Sequence, residues 1–350
     1  MPEKNILIIG GGVAGLTAAD ELAKLDYHVD LIEKEAVLGG YAGQFACKAT
    51  DECVQCGACM VEEKIDAAVS HPGIHLHLKT TIREIKKDQQ FTVTFLDKEG
   101  SENTCKADAI IIATGFQPFN PENKPYGYKV FDDVITNLDL EKMLRQEGGI
   151  ARPSDGSRPE KLAFIQCVGS RDARLNHLWC SKVCCASALR MANLIRSKNN
   201  RTDITFFYID VQTFGKNFQA RHDSMKEQIR MIRAIPGDIF KTAEGRLKIT
   251  YSPVDEEVQQ EEEFDMVVLS IGITPGVDNK NMAEKMGVKS TDTGFWDNLD
   301  ACSMTPVDGI FAAGTASGPK SIAESVADAG RSAFEVVKYL NAHVRLKKVS

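Results

Sequence analysis

Short apolar runs closed by glycine recur along this chain and set its rhythm. Lys4–Ile9 is one such run, ending in Gly10-Gly11-Gly12, and it predicts a buried strand. From Val13 to Leu25 the period changes to that of a helix, with Leu16, Ala19, Leu22 and Ala23 on one face. HVDLIE (28–33) predicts a second strand. Strand, helix and strand within about 30 residues form the unit that binds dinucleotides. Residues 34–66 read as irregular, and 74–104 as a β-meander. AIIIA (109–113) predicts a buried parallel-type strand, and 116–160 a crossover with one amphipathic helix near Asp139–Arg145.

A second unit of the same kind begins at Lys161. LAFIQCV (162–168) predicts a strand, Ser181–Ser197 a helix, ITFFYIDV (204–211) a strand and Asp223–Ile232 a helix. Arg246–Tyr251 and Glu262–Ile271 predict strands flanking the acidic stretch EEVQQEEE, which reads as a solvated hairpin. GIFAAG (309–314) predicts a strand and Ser321–Leu340 a long helix. IIIATGF (110–116) and VVLSIGI (267–273) look alike, as two strand ends at a domain crossing would. The expectation is an α/β protein of two Rossmann-like domains. The first is discontinuous, 1–118 with 265–350, and the second is 119–264.

Composition narrows the class. Hydrophobic residues make up 43 % and charged residues 26 % of 350, ordinary values for a globular chain. No apolar run reaches the length of about 18 residues that a membrane span needs, so no direct membrane insertion is expected. The opening MPEKNILIIGGG runs straight into a glycine loop without a cleavage-site pattern, so the expected location is cytoplasmic. A net charge of −7 argues against a nucleic-acid partner. Ten cysteines require an account, and in a reducing compartment clustered thiols are metal ligands or redox groups more often than disulfides. Cys105 and Cys302 stand apart and read as structural.

Gly10-x-Gly12-x-x-Gly15, after a strand and opening a helix, is the phosphate-binding fingerprint. Gly10 makes the turn, Gly12 admits a pyrophosphate, Gly15 lets helix and strand pack, and the helix start at Val13 and Ala14 offers free N–H groups. Glu33, followed by Lys34, is placed for ribose hydroxyls and disfavours a 2′-phosphate. Gly39-Gly40, Ala113-Thr114-Gly115 and GIFAAGT (309–315, with Gly314 and Thr315) point to FAD. This set resembles the thioredoxin-reductase-like flavoproteins, in which the last motif lies beside the ribityl chain and the isoalloxazine. Thr315 stands where that class has an aspartate, which puts the carboxylate–ribityl bond in doubt.

Where that class carries its nicotinamide loop, this chain reads CVGSRDARLNHLWCSKVCC (167–185), with Gly169 the remaining glycine. Tight NAD(P)H binding is not expected. Cys167, Cys180, Cys184 and Cys185 complete the thiolate inventory of one [4Fe–4S] cluster. Two other readings stay open: buried small hydrophobes with one reactive thiol, and a zinc site with four cysteine ligands. Cys47, Cys53, Cys56 and Cys59 form a second group, readable as a second cluster, as redox or partner-contact thiols, or as structural residues. His71, His75 and His77 lie close in sequence and read as strand packing rather than a metal site.

CVGSRD (167–172) and WCSKVCCASALRMA (179–192) resemble the A-type subunits of heterodisulfide reductases. The similarity continues through TDECVQC (50–56), HPGIHL (71–76), VITNLDLEKML (134–144) and GTASGPKSIAESVADAGRSA (314–333). The resemblance implies FAD, a [4Fe–4S] cluster on Cys167, Cys180, Cys184 and Cys185, and a flavin-neighbouring Lys320 beside Ser321. It implies B- and C-like iron–sulfur subunits as partners and a homodimer. The long form's ferredoxin-type insert is missing, so its electron bifurcation is not carried over. The short form looks like the A-type component of the sulfur-oxidising heterodisulfide-reductase-like complex. Rival readings are the quinone-interacting oxidoreductase of sulfate reducers, an NAD(P)H-dependent disulfide reductase, and a redox-silent scaffold.

Overall fold

The structure, a computed structural model, describes residues 4–198, 201–213, 218–256, 258–298 and 303–349. It separates into two units. Unit 1 comprises Met1–Gly43, Gly57–Gln117 and Pro275–Ser350, and unit 2 comprises Gln44–Cys56 and Pro118–Thr274. The described helices are α1 Val13–Ala23, α2 Ala58–Ser70, α3 Asn137–Gln146, α4 Cys184–Lys198, α5 Phe218–Lys226, α6 Asn279–Met286 and α7 Ile322–Val349.

Each unit follows the same plan. In unit 1 a parallel sheet runs in the order Ile310–Ala312, Ala109–Ile112, Asn5–Ile9, His28–Ile32, Ile74–His77. In unit 2 the parallel order is Arg230–Arg233, Asp203–Tyr208, Lys161–Val168, Met266–Ile271, Val134–Thr136. Each also holds a three-stranded antiparallel meander, Thr81 to Ala107 in unit 1 and Ile239 to Phe264 in unit 2.

The apolar runs are continuous because the central strands are covered on both faces. Ile6 and Ile8 enter one core with α1 and α7, whereas Leu7 and Ile9 enter another with the meander residues Phe91, Val93 and Phe95. Unit 2 repeats this: Leu162 and Phe164 face α3 and α4, and Ala163 and Ile165 face the second meander. Helix starts are fixed locally. Thr136 and Asp139 form a capping box on α3, and Ser321 with Glu324 makes the same reciprocal pair at the start of α7.

Several elements differ from expectation. Residues 34–66 are not all irregular, because α2 begins at Ala58 and buries Val61 and Ala68. The stretch 223–232 is not one helix: α5 ends at Lys226, and Arg230–Arg233 is a strand that completes a parallel sheet. Ile74–His77 leaves the meander and joins the parallel sheet instead. The strand expected at 262–271 breaks at Asp265, whose carboxylate accepts the N–H groups of Glu160 and Lys161. The acidic stretch is half strand, with Glu261, Glu262 and Glu263 set opposite Lys248, Arg230 and Arg246. The segment Gln44–Cys56 groups with unit 2, although the sequence placed all of 1–118 in the first domain. No described helix is long and apolar enough to cross a membrane.

Candidate functional site

In unit 1 the glycine motifs meet at one end of the parallel sheet. A Cβ on Gly10 would lie 2.3 Å from the Ala113 carbonyl oxygen, and one on Gly15 would lie 1.9 Å from that of Gly10. A Cβ on Gly12 would meet nothing within 4 Å. Two of the three glycines are therefore required by packing, and the third leaves a gap. Gly12 is the N-cap of α1 and offers no side-chain cap, so the first-turn N–H groups of Val13 and Ala14 face that gap with the helix dipole behind them. Gly39 donates to the Gly11 carbonyl at 2.8 Å, and Gly40 packs on Gly12. Glu33 is buried, and its two oxygens accept N–H groups from Gly11 and Glu35 at 2.7 and 2.8 Å. Lys34 points away, toward exposed Asp278 at 3.8 Å.

The C-terminal motif closes on the same place. A Cβ on Gly314 would sit 2.6 Å from the Ala14 Cβ, and one on Gly115 would sit 3.8 Å from the Thr315 hydroxyl. The Thr114 hydroxyl is buried with no hydrogen-bond partner, a state that a bound polar group would relieve. Lys320 donates to the Gly314 carbonyl at 2.9 Å and to Ser317 Oγ at 2.7 Å. Ser321 uses its hydroxyl to cap α7. Sequence reasoning missed Asp328, one of the buried carboxylates of unit 1. One of its oxygens accepts the Gly314 N–H at 2.9 Å. An open, uncapped helix start with a gap at Gly12 and an orphaned hydroxyl nearby fits a dinucleotide.

In unit 2 the four cysteines of 167–185 come together. Cys167 lies one residue before the end of the strand Lys161–Val168, where the register with Met266–Ile271 shifts. The backbone here is strained: Cys167, Arg171, Asn176 and Lys182 all have positive φ, and so does Gly169. Non-glycine residues adopt this region at a cost, and such residues concentrate at functional sites. Cys184 and Cys185 open α4 and are buried. The Cys184 thiol touches those of Cys167 and Cys185. A hydrogen bond from Cys184 holds Cys167 below the ordinary thiol value. Cys184, in contact with both Cys167 and Cys185, is raised well above it. Cys185 is brought down to about 7, chiefly by Cys184. Burial pushes Cys180 up, against the Lys182 N–H that reaches its sulfur at 3.3 Å. Arg171, paired with Asp210 at 2.5 Å, supplies positive charge beside Cys167 and Cys180.

Among the described residues no group of three or more His, Cys, Asp or Glu is spaced to hold a single metal ion. Four cysteine thiolates are the ligand number of one [4Fe–4S] cluster. The donor set, four soft sulfurs with adjacent N–H and guanidinium groups, suits iron and sulfide. Phe119 packs directly on the one glycine of this loop: a Cβ on Gly169, already at φ +81°, would fall 2.0 Å from its ring.

The second cysteine group is divided. Cys47, Cys53 and Cys56 lie in unit 2, and Cys59 lies in the first turn of α2 in unit 1. Cys53 accepts the Gln55 N–H at 3.4 Å. The loop is fastened by Lys48, whose ammonium is buried against Glu141 of α3. His77 and His75 share Asp30, at 2.8 and 3.8 Å, and His71 accepts the Gly73 N–H. Burial and Asp30 push the Cys105 thiol up to about 12, which leaves it inert. Cys302 lies outside the described residues.

The chain resembles known proteins over nearly its whole length. Residues 4–148 match the pyridine nucleotide-disulphide oxidoreductase family. The chain is 31 % identical to the A-type iron-sulfur subunit of the CoB–CoM heterodisulfide reductase of Methanocaldococcus jannaschii, over 95 % of this chain and 64 % of that protein. It is 30 % identical to one of the corresponding A-type iron-sulfur subunits of Methanopyrus kandleri, over 96 % of this chain and again 64 % of the relative. The chain thus spans slightly under two thirds of the length of these relatives. Each alignment runs over 427 positions, more than the 350 residues of this chain, so the relatives carry insertions. Among solved structures, the thioredoxin reductase of T. acidophilum superposes with a TM-score of 0.66 at 18 % identity, covering 97 % of this chain and 99 % of that one. The chain is accordingly similar over nearly its whole length to A-type subunits of heterodisulfide reductases, and it is built on the two-Rossmann fold of the thioredoxin-reductase-like flavoproteins.

Proposed function

We propose that this chain is the FAD- and [4Fe–4S]-carrying electron-transfer component of a heterodisulfide-reductase-like complex acting in sulfur oxidation in the cytoplasm. FAD is assigned to unit 1, and one cluster to Cys167, Cys180, Cys184 and Cys185 in unit 2. The observation that carries this reading is the contrast between the two units: one keeps an open glycine loop at the helix start, and the other carries four cysteines after its corresponding strand. Bound there, the flavin supplies two-electron and one-electron exchange and the cluster a one-electron relay.

The chain's own residues do the rest. The N–H groups at the start of α1 hold the phosphates. Glu33 keeps lone pairs free for ribose hydroxyls although each oxygen already accepts one N–H. Lys320 sets a positive charge at the C-terminal glycine turn and favours the electron-rich flavin. Arg171 offsets the thiolate charge of the cysteine site. Partners are B- and C-like iron–sulfur subunits, with the chain itself a homodimer.

The test is iron, acid-labile sulfide and flavin per chain on protein prepared without oxygen. The expected result is about four irons and one FAD. About eight irons would add a second cluster at Cys47, Cys53, Cys56 and Cys59. Absence of iron would refute the cluster and leave the dithiol or zinc reading in its place. Rapid bleaching of the flavin by NAD(P)H would refute the loss of the nicotinamide site. Co-purification with a membrane cytochrome rather than B- and C-like subunits would favour the quinone-linked complex.

A further inference from the structure

We propose that Asp328 is a positioning residue that fixes the Lys320 ammonium and the Gly314 amide at the C-terminal glycine turn, an inference that rests on the flavin reading above. Thr315 leaves this turn without the carboxylate that its class carries in the motif itself. Asp328 brings a carboxylate to the same turn from the second turn of α7, with 4 % of its surface exposed. Its Oδ2 accepts the Gly314 N–H at 2.9 Å and lies 3.4 Å from Lys320 Nζ, and its Oδ1 accepts from Arg331. Lys320 in turn donates to the Gly314 carbonyl and to Ser317 Oγ. Both polar backbone groups of Gly314 are therefore engaged by one ion-paired set.

Gly314 itself cannot yield, since its φ is +68° and its Cβ direction is filled by Ala14. Lys320 thus has one defined location for its charge. That location matters because the influence of a charge falls with distance. Arg331 matters too. It holds the other oxygen of the carboxylate, so Asp328 is fixed from both sides while Oδ2 faces Gly314 and Lys320.

Two physical pictures predict opposite signs. If Asp328 acted only as a nearby negative charge, Asp328→Asn would make the flavin more electron-poor. If it acts by holding Lys320, Asp328→Asn frees the ammonium and makes the flavin less electron-poor. The full chain with bound flavin is titrated with sulfite, whose adduct bleaches the flavin and strengthens as the ring becomes more electron-poor. The flavin midpoint potential is measured in parallel.

Asp328→Asn is expected to weaken sulfite binding about tenfold, the equivalent of one charge-assisted contact, and to lower the potential. Neither drop should persist in a Lys320→Met background, and Asp328→Glu should recover much of the affinity. Ser317→Ala removes another acceptor of the same ammonium without touching the buried pair, and is expected to shift sulfite affinity in the same direction. Tighter sulfite binding by Asp328→Asn in both backgrounds, or unchanged affinity in Asp328→Asn and Ser317→Ala alike, overturns the inference. Wild-type protein without flavin would overturn the flavin reading itself, which flavin content establishes before any variant is compared.

Discussion

Lys48→Met is expected to destabilise unit 2 by about 3–5 kcal/mol, the cost of leaving a buried charge without its partner. Lys48 and Glu141 side chains are each only 3 % exposed, and Nζ lies 2.7 and 2.8 Å from the two Glu141 oxygens. The ammonium also donates to the Ala46 carbonyl at 3.0 Å, and Glu141 accepts the Ala46 N–H at 3.1 Å. Ser187 of α4 donates to Glu141 at 3.5 Å. Removing the lysine therefore strands a carboxylate and one backbone carbonyl together. Glu141→Leu strands the ammonium and the Ala46 N–H, with a loss of similar size. The double variant Lys48→Met/Glu141→Leu leaves no buried charge, only two unpaired backbone groups and the Ser187 hydroxyl. Its loss should be about 1–3 kcal/mol, smaller than that of either single variant. The assay is a double-mutant cycle by urea unfolding, followed by far-UV circular dichroism and by hydrogen exchange of residues 45–49. A single variant that loses less than about 1 kcal/mol, the range of an exposed pair, would refute the reasoning. So would additive losses, since they would mean that the two charges do not depend on each other.

Three further outcomes are expected. Gly12→Ala should unfold at nearly the temperature of flavin-free wild type, losing under about 1 kcal/mol, and be purified without flavin. Gly15→Ala, with its Cβ 1.9 Å from the Gly10 oxygen, should lose about 3 kcal/mol or more, and both contrasts are read from thermal melts and flavin absorbance. Thr136→Ala removes the capping box of α3 and should cost about 1 kcal/mol in chemical unfolding. Asp172 is held below its ordinary value of 3.8, chiefly by Lys124. Its contribution is therefore complete above pH about 4 and is lost as pH falls through the depressed value. Lys124→Met should lose stability at neutral pH and show a smaller further loss between pH 4 and 2, and equal acid slopes in variant and wild type would contradict this pairing.

Much of the architecture was legible because it is written in local periodicity. The strand Asn5–Ile9, the glycine loop and α1 follow from one short stretch of sequence and its period, and the same logic located Lys161–Val168 and the cysteine turn after it. The open position at Gly12 and the packed positions at Gly10 and Gly15 fall where the fingerprint assigns them. The errors lie where local preference is weak. Arg230–Arg233 carries no strong strand signal and becomes a strand because the edge of a parallel sheet accepts it. The helix α2 did have a signal, in Val61, Ile65 and Ala68, but the cysteines around it drew the reading toward a loop.

What the sequence alone determined is thus the chemistry on offer: two dinucleotide-type folds, one glycine loop of the phosphate-binding pattern, and four thiols after the first strand of the second unit. What the tertiary structure decided is which distant groups become partners. Nothing in the order of residues links Lys48 to Glu141 or Gly314 to Asp328, or assigns Cys47, Cys53 and Cys56 to the unit that holds Cys167. Those pairings depend on burial, since a charge withdrawn from water must find its opposite wherever the packed chain brings it. Only the folded geometry specifies where that is.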